Sequence, residues 1–272
     1  MARYLKYLLM VLSGTCVIFI IVACAAFIPY DENSSTPVLQ RYWMFHSSRT
    51  VRDDSNTVIK KDNGFSFYNM DRNSPIILED YIGDYLDKAE SLVDDCRDIL
   101  YCGLPVLFTE SNENLEKYIW IPTETEPKID KVDLMLTSIE YFNSGKEIFM
   151  KYCFKTYGTD HYNIYFSPRE NIMLKKIDLL ETVPTNQPKW NGRETYFILY
   201  VDGKERKALE FCMDLESVNG EFGRVNLDIA IAGTYYNEKV VQKSDEYREF
   251  LSKFPKWTSL NAWSGSYESW VY

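Results

Sequence analysis

Hydrophobic and polar positions divide this chain into regimes. The first is unbroken: Tyr7 to Ile28 (YLLMVLSGTCVIFIIVACAAFI) runs 22 residues without a charge, interrupted only by Ser13, Gly14 and Thr15. About 20 apolar residues cross a bilayer as a helix, the state in which a backbone satisfies its own hydrogen bonds in lipid. Arg3 and Lys6 precede the run, while Asp31 and Glu32 follow it. The basic side is expected to stay cytosolic, giving residues 1–6 cytosolic, 7–28 transmembrane and 29–272 lumenal or extracellular. The alternative is a cleaved signal peptide, since VACAA (22–26) holds small residues suited to cleavage. The run is long for that, which favours an uncleaved span. Both alternatives place the rest of the chain in an oxidising compartment.

Beyond the span the period alternates between two and helical spacing. RYWMFHSSRTV (41–51) and GFSFYNM (64–70) read as strands, with Lys61-Asp62-Asn63-Gly64 as a turn before the second. Ile82, Tyr85, Leu86, Ala89, Leu92 and Val93 fall at helical spacing and predict an amphipathic helix over 79–94. EKYIWIP predicts a short strand. In KVDLMLTSIEYF the parity slips near Ser138, as at a bulge. EIFMKYCFK, KALEFCMDLE and RVNLDIAIA alternate cleanly, with Leu209, Phe211, Met213 and Leu215, then Val225, Leu227, Ile229 and Ile231, as inner sets. TYFILYV (195–201) is apolar on both parities and predicts a central strand. With turns expected at Asp202-Gly203 and Asn219-Gly220, the fold class is mainly β. The expected architecture is an antiparallel β-sandwich with two short amphipathic helices, preceded by one transmembrane helix. The second helix has Ser244 as N-cap, Asp245 and Glu246 at its positive end, and Tyr247, Phe250, Leu251 and Phe254 on one face before Pro255.

Composition narrows the function classes. The formal charge is −10, and residues 1–30 carry only Arg3 and Lys6, so the remainder carries −12. That disfavours nucleic acid, whose phosphates need a basic face. The two histidines, His46 and His161, stand in no ligand motif, and no HExxH, HxD or CxxC is present. Each reads as a surface or hydrogen-bonded residue, and no metal or catalytic residue is assigned. GxSxG, GxGxxG and GxxxxGK[ST] are absent as well. Carboxylate pairs carry no signal among 40 acids, because solvated strand faces account for them.

The oxidising compartment gives other residues meaning. Asn33-Ser34-Ser35 is an N-glycosylation acceptor. Cys16 and Cys24 lie in the apolar span and are expected to be unpaired. Cys96 and Cys102 (CRDILYC) are spaced awkwardly for a shared metal but suitably for a small disulfide loop. Cys153 and Cys212 sit on the outward parity of their strands, so pairing depends on whether those strands are neighbours.

CRDILYCGLP (96–105), RTVRDDSNTVIKKDNGFSF (49–67) and the ending FPKWTSLNAW…Y together resemble the lumenal C-terminal domain of endoplasmic reticulum metallopeptidase 1. The resemblance covers essentially residues 30–272, and the apolar span looks like the last membrane helix of that polytopic family. It implies localisation in the endoplasmic reticulum membrane. The family's activity belongs to a zinc aminopeptidase-like domain whose His, Asp and Glu ligands have no counterpart motif here. The resemblance therefore implies no cofactor in this chain and no catalysis by it. Its role would be structural or interactive, with a metallopeptidase-bearing chain or another lumenal protein as partner.

The aromatic tail raises an alternative. Trp257, Trp263, Tyr267 and Trp270 form either a surface stripe or a closing piece of the core. As an exposed stripe they would make a carbohydrate-binding sandwich, since sugars stack on flat indoles. Pro255 stopping the helix and the resemblance both favour core closure.

Overall fold

The computed structural model describes residues 2–25, 30, 38–70, 75–106, 112–115, 117–201, 208–236 and 242–272. The side chain of Cys24, Asn33 and the Asp202-Gly203 turn lie outside the described residues. The helices are α1 (Ala2–Ala25), α2 (Glu79–Leu86), α3 (Val93–Asp98), α4 (Asn112–Leu115) and α5 (Asp245–Ser252). The strands are β1 (Gln40–Arg52), β2 (Val58–Asn69), β3 (Ile119–Pro122), β4 (Asp133–Ser144), β5 (Glu147–Tyr157), β6 (His161–Pro168) and β7 (Ile172–Ile177). They continue as β8 (Lys189–Trp190), β9 (Arg193–Glu194), β10 (Tyr196–Val201), β11 (Leu209–Ser217), β12 (Leu227–Tyr235) and β13 (Thr258–Val271).

The chain divides into two compact units. One comprises Met1–Gln40 with Pro255–Ser259. Within it α1 is long and apolar enough over Tyr4–Ala23 to cross a membrane, and the side chains of that stretch are exposed. Tyr30 stacks on Trp257 at 5.5 Å, and the Gln40 amide donates to the Trp257 carbonyl.

The other unit, Arg41–Phe254 with Leu260–Tyr272, holds the sheets. Seven strands run in the order β10-β6-β12-β13-β1-β2-β3, and four more in the order β4-β5-β11-β7. The pairings β1–β2, β2–β3, β4–β5, β5–β11, β7–β11, β6–β10, β6–β12, β12–β13 and β8–β9 are all antiparallel. Alternation packs the two sheets face to face. Met150, Tyr152, Phe154, Leu209, Phe211, Met213 and Leu215 from the small sheet share one core with Ile164, Phe166, Leu227, Ile229, Ile231 and Trp270 from the large one. Each such side chain stabilises the fold by roughly 1.5–3 kcal/mol relative to exposure. The bulge falls where the pattern slips, between Leu136 and Ser138. Ser244 caps α5 by accepting from the Tyr247 amide at 3.1 Å, and Tyr247 and Phe250 stack on Phe65 of β2.

Four expectations are corrected. Residues 61–64 lie inside β2 and make no turn; the β1–β2 reversal falls at Asp53–Thr57, with Asn56 at φ 60°. Gly64 serves a close approach instead, because a Cβ there would run into the Trp120 indole. The helix expected over 79–94 ends at Leu86 and resumes at Val93. Between them Glu90 is drawn into a β-bridge with Trp120, its amide donating to the Trp120 carbonyl at 2.8 Å. β10 is an edge strand, not a central one, with Leu199 and Val201 exposed. Its double-sided apolarity arises because Ile198 faces the sandwich core while Phe197 packs on Tyr101 and Tyr165. Finally, β6, β7 and β13 are strands beyond those expected, and β13 occupies the middle of the large sheet.

Candidate functional site

The outer face of the large sheet carries a cover, residues 92–106, in which α3 gives way after Asp98 to a tight, irregular run through Val106. Cys96 joins Cys102 in a disulfide with Cα atoms 4.0 Å apart. Tyr101 and Cys102 take left-handed backbone angles (φ 52° and 56°), followed by Gly103 at φ 70°. Non-glycine residues pay for that conformation, so something must hold them there. The Tyr101 ring stacks on Tyr165 of β6 at 4.3 Å.

Polar side chains of the sheet satisfy the backbone of this cover. The Tyr267 hydroxyl donates to the Leu100 carbonyl at 2.7 Å, and the Tyr165 hydroxyl donates to the Leu104 carbonyl at 2.9 Å. The Val106 amide donates back to the Tyr165 oxygen at 3.1 Å, and Asn163 donates to the Val106 carbonyl at 2.6 Å. Trp190 Nε1 donates to the Cys96 carbonyl at 3.0 Å. A buried carbonyl left without a donor costs about 1–3 kcal/mol, so these bonds make an irregular segment tolerable in the interior. Burial pushes both tyrosine hydroxyls well above the ordinary phenol range, and they remain neutral donors.

At the centre stands Arg49 of β1, fully buried. Its Nε and one terminal nitrogen grip Asp62 of β2 at 2.7 and 2.6 Å, and the other reaches Asp95 at 2.8 Å and the Cys102 carbonyl at 3.3 Å. The guanidinium lies 3.7 Å from the Trp120 ring centroid. Lys60 adds a contact to Asp95 at 2.5 Å. A planar, five-donor cation suits such a buried fork, and lysine could not replace it. A side chain at position 103 would press on the Arg49 stem at 3.0 Å, which explains glycine there.

Beside this cover opens a cleft of about 520 Å³. Asp228 of β12 accepts from Arg169 at 2.6 Å and Arg193 at 2.7 Å. Arg193 lies over Trp190, and Arg52 lies over Trp270 at 5.1 Å while pairing with Glu268 at 2.8 Å. Burial raises the Glu268 carboxyl, and bonds from Arg52 and Thr50 oppose that rise. The lining holds four arginines (52, 97, 169, 193) and four aspartates (53, 54, 98, 228), with the two indoles between them. Charge is therefore balanced across the lining, and each indole carries an arginine over its ring.

The other candidate residues fall as follows. Cys153 and Cys212 are also bonded, because β5 and β11 are neighbours and the two residues stand directly opposite. Trp270 is buried and faces the sandwich, whereas Trp263 packs on Phe45 and Tyr236. Seven positions apart on β13, these two rings lie on opposite faces, so they do not share one stacking platform. Tyr267 is fully buried. His46 is buried with Nε2 at 2.7 Å from the Thr125 carbonyl, and His161 lies beside Asp160. Among the described residues no three His, Cys, Asp or Glu side chains gather where a metal could be held. Arg49, Asp62, Asp95, Trp190 and Asp228 went unmarked in the sequence because their partners are distant along the chain. For Arg49 and Asp62 there is one signal: the three stretches carrying the resemblance meet here, 49–67 through Arg49, 96–105 through Leu100 and Cys102, and the tail through Tyr267.

A family model described as endoplasmic reticulum metallopeptidase 1, C-terminal domain, matches residues 37–270. Endoplasmic reticulum metallopeptidase 1 of Mus musculus is 24% identical over 98% of this chain and 28% of its own length. The Homo sapiens protein is 23% identical over 100% of this chain and 29% of its own length. A putative endoplasmic reticulum metallopeptidase 1-A of Caenorhabditis elegans is 23% identical over 91% of this chain and 28% of its own length. The chain thus spans under a third of the curated relatives it matches. Among solved structures, the yeast delta-COP-I mu-homology domain complexed with a Dsl1 WxWxV peptide aligns with 85% of this chain and 95% of its own. That alignment has 10% identity and a TM-score of 0.33, below the level at which a shared fold is read. On the match over residues 37–270, the chain belongs to the family of the endoplasmic reticulum metallopeptidase 1 C-terminal domain.

Proposed function

We propose that this chain is a membrane-tethered lumenal domain of the endoplasmic reticulum, without catalysis of its own, that receives a polypeptide partner. Residues 7–28 form the single span, residues 1–6 face the cytosol and 29–272 face the lumen. Disulfides suit that compartment, and the family named for an endoplasmic reticulum enzyme supports the location. The partner is a metallopeptidase-bearing chain or another lumenal protein, and any zinc chemistry belongs to the partner.

One observation carries the reading. The groups that could do chemistry are committed to each other: Arg49 to Asp62 and Asp95, Asp228 to Arg169 and Arg193, Glu268 to Arg52. Of these, Arg52, Arg169, Arg193 and Asp228 line a charge-balanced cleft that also holds Trp190 and Trp270, which is recognition geometry. A photo-crosslinking residue at exposed Asn191, on the rim, tests it in intact microsomes. A discrete lumenal polypeptide adduct, lost on adding Arg193→Glu, is expected. A protein that stays monomeric and uncrosslinked, or a purified domain that releases amino acids from peptides with chelator sensitivity, would overturn the proposal.

A further inference from the structure

The two disulfides occupy opposite environments. Cys96 and Cys102 are 1% and 0% exposed, sealed under the tied cover. Cys153 and Cys212 are partly exposed in the middle of the small sheet, on the face turned away from the large one. Their sequence neighbours Tyr152, Phe154, Phe211 and Met213 fill the core instead. On this outer face the rungs above and below the disulfide are charged. Lys155 stands opposite Glu210 and pairs with it at 2.7 Å, and Lys151 stands opposite Asp214. The lysines therefore share a strand with Cys153, and the acids share a strand with Cys212.

We propose that Cys153–Cys212 is a thiol–disulfide exchange site for a dithiol partner, with Cys212 the attacked sulfur and Cys153 the leaving one. Access is open, because both cysteines are partly exposed on the sheet face turned away from the core. Opening it leaves the scaffold in place, since β5 and β11 stay joined by their ladder from Leu209–Thr156 to Ser217–Ile148 and by the core beneath. Direction comes from charge. Exchange is faster when the departing thiolate is better stabilised. A thiolate leaving as Cys153 stands between Lys151 and Lys155, whereas one leaving as Cys212 stands between Glu210 and Asp214.

The step balances as a two-electron exchange. A partner thiolate attacks Cys212 Sγ, forming a mixed disulfide as the Sγ–Sγ bond breaks and its electron pair leaves on Cys153. The partner's second thiolate then attacks its own sulfur in that mixed disulfide and releases Cys212. The dithiol becomes a disulfide, and its two protons end on Cys153 and Cys212.

The full chain in detergent micelles, without denaturant, tests this in two arms read by peptide mass mapping after rapid alkylation. With dithiothreitol, Cys153 and Cys212 should be alkylated while Cys96–Cys102 stays intact. With glutathione, the adduct should sit on Cys212 with Cys153 alkylated, in about threefold excess over the inverse pattern, the scale of a surface charge effect. The double variant Lys151→Glu, Lys155→Glu should remove or reverse that excess. If Cys96–Cys102 opens first or simultaneously, the exchange site is refuted. An adduct evenly divided or favouring Cys153 refutes the assigned direction.

Discussion

The large sheet is covered by different means on its two faces. Toward the small sheet it presents Ile164, Phe166, Leu227, Ile229 and Ile231, and the contact is made by apolar side chains from regular strands. Toward residues 92–106 it presents Val51, Ala230 and Ala232 to an apolar cluster, but also Tyr165, Asn163 and Tyr267, which add side-chain bonds to backbone carbonyls and amides, closed by buried Arg49. A strand satisfies its own backbone in the ladder and needs only apolar complementarity. An irregular segment brings orphaned backbone groups into the interior, and the sheet must supply their partners. The polar residues on that face are therefore the counterpart of the aliphatic ones on the other.

Removing what both faces share should have the largest effect. Deletion of 257–272 takes out β13, which lies between β12 and β1 and contributes Trp270 to one face and Tyr267 to the other. The domain should then show no cooperative unfolding transition in urea. A sharp transition with unchanged midpoint would deny the strand its place. Arg49→Met attacks the polar face alone. It strands Asp62 and Asp95, though both are partly exposed and Lys60 stays beside them, so a loss of about 3 kcal/mol is expected. A loss below about 0.5 kcal/mol in denaturant titration would show the ion cluster to be incidental.

The paired change Cys96→Ser, Cys102→Ser should cost somewhat less. Closing a loop of this size stabilises by roughly 2–3 kcal/mol in the chain-entropy model. Calorimetry checks it, and an unchanged melting temperature would mean that the polar ties hold the cover without the cross-link. The smallest effect concerns pH and the sandwich side, where α5 covers β1 and β2. Burial holds the His46 imidazole below its ordinary 6.5, against the opposing pulls of the Thr125 carbonyl and Glu246. The unfolded chain then binds the proton more readily, so this contribution is intact above about pH 6.5 and is lost as pH falls through it. Acidification from about pH 7.5 to 5.5 should lower the melting temperature by roughly 2–4 °C. His46→Gln should flatten that dependence; a slope unchanged by the substitution would place the sensitivity elsewhere.

This contrast also explains what could be read in advance. β4, β5, β11 and β12 carry apolar residues at period two, and even the slip at Ser138 marks its bulge. α5 declares itself through Ser244. β6 hides because His161–Pro168 is covered on both faces, and its outer positions Asn163 and Tyr165 are chosen for bonding rather than hydrophobicity. The helical spacing of 79–94 misleads because Glu90 is captured by β3, a contact no local pattern encodes. At the candidate site the cysteine spacing is local and visible. The Arg49 cluster and the Asp228 pairs join residues 13 to 59 positions apart and become visible only once the chain is folded.

The central claim is that residues 96–106 belong to the core and are not a surface loop. Native-state amide hydrogen exchange tests it most directly, comparing the Cys102, Leu104 and Val106 amides with that of Ile231 in β12. These three donate to the Ile99 carbonyl, the Tyr101 carbonyl and the Tyr165 hydroxyl, and all are buried. The account predicts that they exchange only through global unfolding, with the same opening free energy as Ile231. Exchange through local opening, while Ile231 stays protected, would contradict it.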